Sequence, residues 1–88
     1  MKQLPPEMQS NSRTTDNGGT IYKDPKNPSG ENVRVENGNP NSPNPAQQQP
    51  YVKQQSGGKM RDVAGNQVDP KSREAHISVK EFKFYEHK

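Results

Sequence analysis

The side chains that could act on a phosphodiester lie mostly in the second half of this 88-residue chain. Metal-free RNA cleavage needs a base for the 2′-hydroxyl proton, an acid for the leaving 5′-oxygen and a cation for the phosphorus oxygens. Histidine can perform either proton transfer with a carboxylate as partner, and arginine and lysine bind phosphate. The candidates are Lys53, Lys59, Arg61, Arg73, Glu74 and His76, with Arg34 and Tyr51 from neighbouring segments.

Glu74 and His76 are two positions apart, so an extended segment would present both on one face. They are the candidate acid–base pair, Arg61 is the candidate catalytic cation, and Asp62 is an alternative carboxylate. Arginine can hold a phosphate through two hydrogen bonds, and a tyrosine can stack on a base. The candidate substrate-binding residues are Lys53, Lys59, Arg34, Tyr51 and Arg73.

Each candidate also has a structural interpretation. His76 could be a half-packed surface residue, and Tyr51, which follows a proline, could be a core anchor. Lys59 and Arg61 could keep an edge strand soluble, and Glu74 could pair with a neighbouring cation. No metal-binding motif or glycine-rich phosphate loop occurs, so the sequence predicts no metal site and no cofactor.

Composition favours a small domain with a thin core. Only 23% of the residues are hydrophobic, and no cysteine is present to supply a disulfide. Fourteen large apolar residues follow position 20, and most are β-branched or aromatic, which is typical of strands. The net charge of +3 arises wholly from residues 51–88, which carry eight Lys/Arg and five Asp/Glu. This basic half indicates a polyanion such as RNA as partner, or alternatively only a solvated surface.

Turn residues divide the chain into short strands. The sequence predicts a mostly β fold, a small twisted antiparallel meander with at most one helical turn, which would begin at Ser78. Residues 1–19 are expected to be a flexible tail and residues 20–86 the folded domain. The Pro/Asn-rich segment 38–50 is expected to be an ordered loop held against the sheet, rather than a floppy one. Strands are predicted at 20–22, 32–35, 51–55, 59–63, 67–69 and 82–84, with turns at 56–58 and 64–66.

The first thirteen residues, MKQLPPEMQSNSR, contain no apolar run, so neither a signal peptide nor a transmembrane segment is expected there. We therefore expect a cytoplasmic protein without membrane association. We also expect a monomer.

The order of several short motifs resembles a module at the C-terminal ends of large bacterial polymorphic toxins of the Rhs and contact-dependent inhibition types. The resemblance runs from about Thr20 to Phe84 and comprises the GNPNSP loop, PYV, the G-K turn, GN-x-V, and S-x-E-A-H-I before F-x-F. The second half is also loosely similar to the basic ribonuclease domains of colicins, which are twisted antiparallel sheets without cysteine.

These resemblances imply a toxin-type, metal-independent ribonuclease that acts on bacterial RNA and is neutralised by an acidic immunity protein. By role, His76 and Glu74 would transfer protons, and Arg61, Lys59 and Lys53 would bind phosphate. The alternative from the residues themselves is a non-catalytic β-domain that binds nucleic acid or a protein through its basic face. A segment that folds only with its partner is a third interpretation.

Overall fold

Strand-forming segments bounded by glycine and proline build one antiparallel sheet in the computed structural model, which describes residues 3–16 and 18–84. The sheet order follows the chain from β1 to β5, and β6 pairs with β4 beside β5. The predicted antiparallel, mostly β fold is confirmed. The strands are β1 Ser12–Thr14, β2 Thr20–Lys23, β3 Asn32–Glu36, β4 Tyr51–Ser56, β5 Lys59–Arg61 and β6 Ile77–Ser78.

The two faces of the sheet differ because side chains alternate along each strand. We call the face that bears Val33 and Val52 the core face, since both side chains are fully buried there. The opposite face, which we call the outer face, bears the intervening residues of β1 to β4. The core cluster consists of Leu4, Met8, Val33, Val52, Ile77 and Phe82, with Tyr22, Val35 and Phe84 partly buried against it.

Residues 3–16, 18 and 19 are part of this fold, which differs from the flexible tail expected from the sequence. Helix α1, Pro6–Gln9, contributes Met8 to the core, and Leu4 packs beside it; each is 3% exposed. β1 pairs with β2 along its whole length. A single helical turn whose one apolar residue is Met8 is too short to show a period. Pro5 and Pro6 suggest coil, although proline also suits the first turn of a helix. The predicted limit at residue 86 lies outside the described residues.

The hairpin between β4 and β5 is one residue tighter than predicted. Its turn is Gly57–Gly58, with φ of +62° and +76°, and Ser56 pairs directly with Lys59. Positive φ at both central residues is what a two-residue hairpin turn of type I′ requires. The register of a hairpin follows from its turn, so this difference decides on which face every β5 side chain lies.

Two predicted strands are reduced or absent among the described residues. The segment 67–69 is represented by a single bridge between Gln67 and Arg61. β5 ends because the carboxylate of Asp62 accepts the N–H groups of Ala64 and Asn66 and so closes a turn. The segment 82–84 forms no strand. It follows a backbone turn in which the N–H groups of Glu81 and Phe82 donate to the Ser78 carbonyl oxygen. That turn agrees with the helical turn predicted at Ser78.

The loop 38–50 is ordered against the outer face, as predicted. Gln47 organises it: its carbonyl oxygen accepts the N–H of Asn39 at 2.7 Å, and its Oε1 accepts the hydroxyl of Ser42 at 3.1 Å. A 3₁₀ turn, Pro45–Gln47, closes the loop. Gly38 has a φ of +82° and passes so close to Gln49 that a Cβ would lie 2.5 Å from its carbonyl carbon. The loop is therefore anchored at both ends.

Candidate functional site

Four cations lie on the outer face of the sheet. In the pairing register Arg13 is opposite Ile21, Ile21 is opposite Arg34, and Arg34 is opposite Lys53. Lys23 follows Ile21 by two residues and lies on the same face of β2. We call Arg13, Lys23, Arg34 and Lys53 the cationic face. Arg34 and Lys53, both predicted to bind substrate, are thus neighbours.

Arg34 and Lys53 form a directly opposed pair of like charges. Opposed Cα atoms in antiparallel strands are about 4.5–5.5 Å apart, and like charges at such positions destabilise a sheet. Burial lowers the pKa of Lys53 from its ordinary value, and the charge of Arg34 lowers this pKa further. A phosphate between the two side chains would relieve the repulsion and accept hydrogen bonds from both. The pair is therefore suited to bind an anion.

Glu36 and Tyr51 form the next opposed pair on the same face. The Glu36 carboxylate is nearly buried; the Thr15 hydroxyl donates to Oε2 at 3.3 Å, and Oε1 lies 3.9 Å from Arg34 Nε. Burial raises the pKa of Tyr51, the Glu36 carboxylate raises it further, and Arg34 acts in the opposite direction. The phenol and the carboxylate are therefore electrostatically coupled.

Lys59 and Arg61 lie on the core-face side of the hairpin, opposite to Arg34 and Lys53. Arg61 pairs with the buried Gln54, and its guanidinium donates to two carbonyl oxygens of the hairpin region, at 3.2 Å each. These contacts give Arg61 a structural role in holding the turn after β5. The cations that the sequence groups into one phosphate site are thus divided between two faces by the tight turn.

His76 is 8% exposed and lies beneath the loop 38–50. Its Nδ1 is 2.8 Å from the Ser72 carbonyl oxygen, and its Nε2 is 2.9 Å from Nε2 of Gln47. A carbonyl can only accept, so Nδ1 carries the proton and Nε2 accepts from the Gln47 amide. The ring also contacts Tyr51, with centroids 5.0 Å apart and a tilt of 57°. Both ring nitrogens therefore have protein partners, Nε2 in the loop 38–50 and Nδ1 at Ser72, outside that loop.

Glu74 and His76 are not side by side on an extended strand, because residues 73–75 form a 3₁₀ turn. Glu74 and Arg73 are exposed, whereas His76 is buried. All three nevertheless line one open groove of about 610 Å³, together with Asp62 and Glu81. Its lining, counted over residues 3–16 and 18–84, contains three carboxylates and one guanidinium, so this lining is acidic, in contrast to the cationic face.

Within residues 3–16 and 18–84, no group of three or more His, Asp or Glu side chains is arranged to hold a metal ion. The helices of this described part are all too short to span a bilayer.

No protein-family model, no curated protein and no solved structure matches this chain. The resemblance to polymorphic toxin modules therefore stays a prediction.

The sequence analysis did not single out Arg13, Lys23, Glu36 or Gln47. Lys23 and Glu36 each lie one residue beyond a predicted strand, 20–22 and 32–35. Continuing the alternation of side chains by one residue would have predicted on which face of the sheet each of them lies. Arg13 and Gln47 carry no comparable signal, because β1 is three residues long and the loop follows no period.

Proposed function

We propose that this protein is a small β-domain that binds single-stranded RNA through the outer face of its sheet. The observation that carries the proposal is the four-strand register that places Arg13, Arg34 and Lys53 in one row. Among the strand residues of this face in the described chain, the only carboxylate is Glu36, which is buried. An open, cationic sheet surface suits a single strand, whose phosphates it can follow.

The charge distribution favours this face over the His76 groove as the site of a phosphodiester. A phosphate in the groove would approach Asp62, Glu74 and Glu81, and among the described residues that line the groove only Arg73 would compensate them. A phosphate on the outer face would approach Arg34 and Lys53 and remove their mutual repulsion.

The proposal is tested by the salt dependence of binding to a fluorescein-labelled RNA heptamer, followed by fluorescence anisotropy. If each of the four cations contacts a phosphate, log Kd rises with log[salt] at a slope of about 0.7 per contact, or about 2.8 in all. From about 50 mM to about 200 mM salt the affinity then falls about 50-fold. The double variant Arg34→Gln/Lys53→Gln should halve the slope, to about 1.4, and weaken binding.

The matched control is Lys26→Gln/Lys71→Gln, which removes two exposed charges from turns outside the strands. This control has the same net charge as the test variant and should retain the slope of the parent protein. Equal effects of the two double variants would show that only net charge matters and would contradict the assignment to the outer face. Absence of binding at low salt would overturn the proposal altogether.

A second candidate is the metal-independent ribonuclease of a toxin system, with an acidic immunity protein as partner. Its support is that His76, Glu74 and Arg73 line one groove. For His76 Nε2 to act as a base, the Gln47 amide must first move away. Incubation of the same RNA with the protein in EDTA, followed by a denaturing gel, tests this candidate. Cleavage that disappears in His76→Ala and persists in Arg34→Gln/Lys53→Gln would favour the nuclease, and intact RNA would exclude it.

A further inference from the structure

A polar cavity lies between the loop 38–50 and the outer face, directly beside the cationic face. Its volume of about 340 Å³ is at the lower end of ligand pockets, which range from about 300 to 1,000 Å³. A cavity of this size suits a single planar group such as a nucleobase. It is lined by Glu36, Asn37, Asn39, Ser42, Gln47 and Tyr51.

Glu36 is the charged residue among those that line this cavity, and its carboxylate accepts fewer hydrogen bonds from the described residues than it could. The side chain is 5% exposed. Within residues 3–16 and 18–84, the hydrogen bond from the Thr15 hydroxyl is the one bond that it accepts, and Arg34 Nε is 3.9 Å from the other oxygen. An ionised carboxylate offers about four acceptor positions, and a carboxylate taken out of water is costly unless donors occupy them. Glu36 is therefore prepared to accept further N–H donors from a ligand.

From these contacts we propose that the cavity binds a guanine base of the RNA strand, with Glu36 accepting from guanine N1–H and from its exocyclic amino group. This inference rests on the proposed RNA-binding function and adds base selectivity to it. Guanine presents two parallel donors on its Watson–Crick edge, which match the two carboxylate oxygens. Adenine and cytosine place an acceptor beside their single amino group, and uracil has one N–H between two carbonyl groups, so none of these matches.

The aromatic ring of Tyr51 supplies a stacking surface in the same cavity. Base stacking on an aromatic side chain is worth about 1–3 kcal/mol by alanine substitution. One side of the ring is supported by His76, which Gln47 and Ser72 hold through both ring nitrogens. This arrangement gives the buried histidine a positioning role, because it fixes the phenol ring against which a base would lie.

A guanidinium from a protein partner would present the same pair of donors, but the surrounding charge disfavours it. Arg34 lies beside Glu36, and Lys53 is next to Tyr51 along the outer face. A positively charged ligand is repelled by these side chains, whereas a guanine carries phosphates that they attract. The cavity and the cationic face thus fit successive parts of one nucleotide chain.

The test compares heptamers of uridine that differ only at the central position, which is guanosine, inosine, adenosine or uridine. Inosine keeps N1–H and lacks the exocyclic amino group, so it removes one of the two proposed hydrogen bonds. A bidentate contact to a base gives about 1–3 kcal/mol of discrimination, so the guanosine heptamer should bind about 10-fold more tightly than the uridine heptamer. The inosine heptamer should lose most of this preference.

Glu36→Gln should remove the preference for guanosine, because an amide offers one acceptor and presents a donor to the N–H groups of the base. Glu7→Gln is the matched control, since Glu7 is exposed on α1, and it should keep the preference. The comparison of guanosine with inosine on the parent protein remains decisive even if Glu36→Gln fails to fold.

The outcomes separate the two proposals. Salt-dependent binding of all four heptamers with equal affinity would overturn the guanine site and leave the RNA-binding function standing. A preference for guanosine that survives Glu36→Gln would also overturn the assignment of the cavity. If no heptamer binds at low salt, both proposals fail.

Discussion

Replacing Met8 by alanine tests whether the N-terminal segment belongs to the folded domain. Met8 is 3% exposed and lies in the core cluster with Leu4, Val33 and Phe82. A flexible tail would tolerate the change, since substitutions at exposed sites usually alter the free energy of unfolding by less than about 0.5 kcal/mol. The structure predicts a much larger loss.

The expected magnitude follows from the atoms removed. Met8→Ala deletes three side-chain atoms beyond Cβ, and about 0.8 kcal/mol for each buried CH₂-sized group gives roughly 2.4 kcal/mol. The cavity that remains adds to this, and buried Met→Ala changes range over about 2–5 kcal/mol. α1 is one turn long and can settle into part of the cavity, so we expect about 2–3 kcal/mol. A chain of 88 residues has a total stability of about 4–13 kcal/mol, so this is a substantial fraction.

The assay is urea unfolding at neutral pH, followed by circular dichroism, with the slope m compared between variants. An unchanged m with a lower midpoint shows a loss of stability in the same two-state transition. The matched control is Glu7→Ala, which alters the exposed neighbour on the same helical turn and should leave the midpoint nearly unchanged. If Met8→Ala and Glu7→Ala unfold at the same urea concentration as the parent protein, residues 3–16 do not pack as described.

Two further predictions concern the loop and the cavity beside it. Burial and the Glu36 carboxylate both raise the pKa of Tyr51, so a tyrosine ¹³Cζ titration should place this pKa above its ordinary value of 10.0. The pKa should fall in Glu36→Gln. An unchanged titration of Tyr51 in that variant would contradict its coupling to Glu36. Because this folded-state pKa is raised, the contribution of Tyr51 to stability is complete below pH 10 and is lost as the pH rises through the folded-state value. Gly38→Ala should destabilise the protein more than its control, Gly58→Ala. Both glycines have positive φ, which costs an alanine about 1–2 kcal/mol. Of the two, only Gly38 would also bring the new Cβ against backbone atoms. Equal urea midpoints for these two variants would show that the loop does not approach residue 49 as closely as described.

The strands follow directly from local patterns in the chain. Alternation in 32–35, the β-branched and aromatic residues at the start of 51–55, and the glycines after Ser56 predict β3, β4 and the start of β5. A half-buried strand needs a period of two, and a hairpin turn needs positive φ. The ordered loop 38–50 also follows, since proline restricts the unfolded chain at little cost to the folded one. These features depend on residues that are close together in the sequence, so they can be predicted from the sequence alone.

Local sequence patterns could not predict which side chains lie together in one site. A one-residue difference in the turn after β4 places Arg61 away from Lys53, and the pairing of β1 with β2 brings Arg13 into the row with Arg34. The burial of His76 depends on Gln47, which is twenty-nine residues distant in the chain.

The amino-acid order therefore specifies a basic, mostly β protein with short strands, because those properties arise from local conformational preference and charge. Which cations share a face, which carboxylate borders the cavity and whether the histidine is accessible depend on strand register and on long-range packing. Register is set by contacts between segments that are remote in the chain, and shifting it by one residue moves every side chain to the other face.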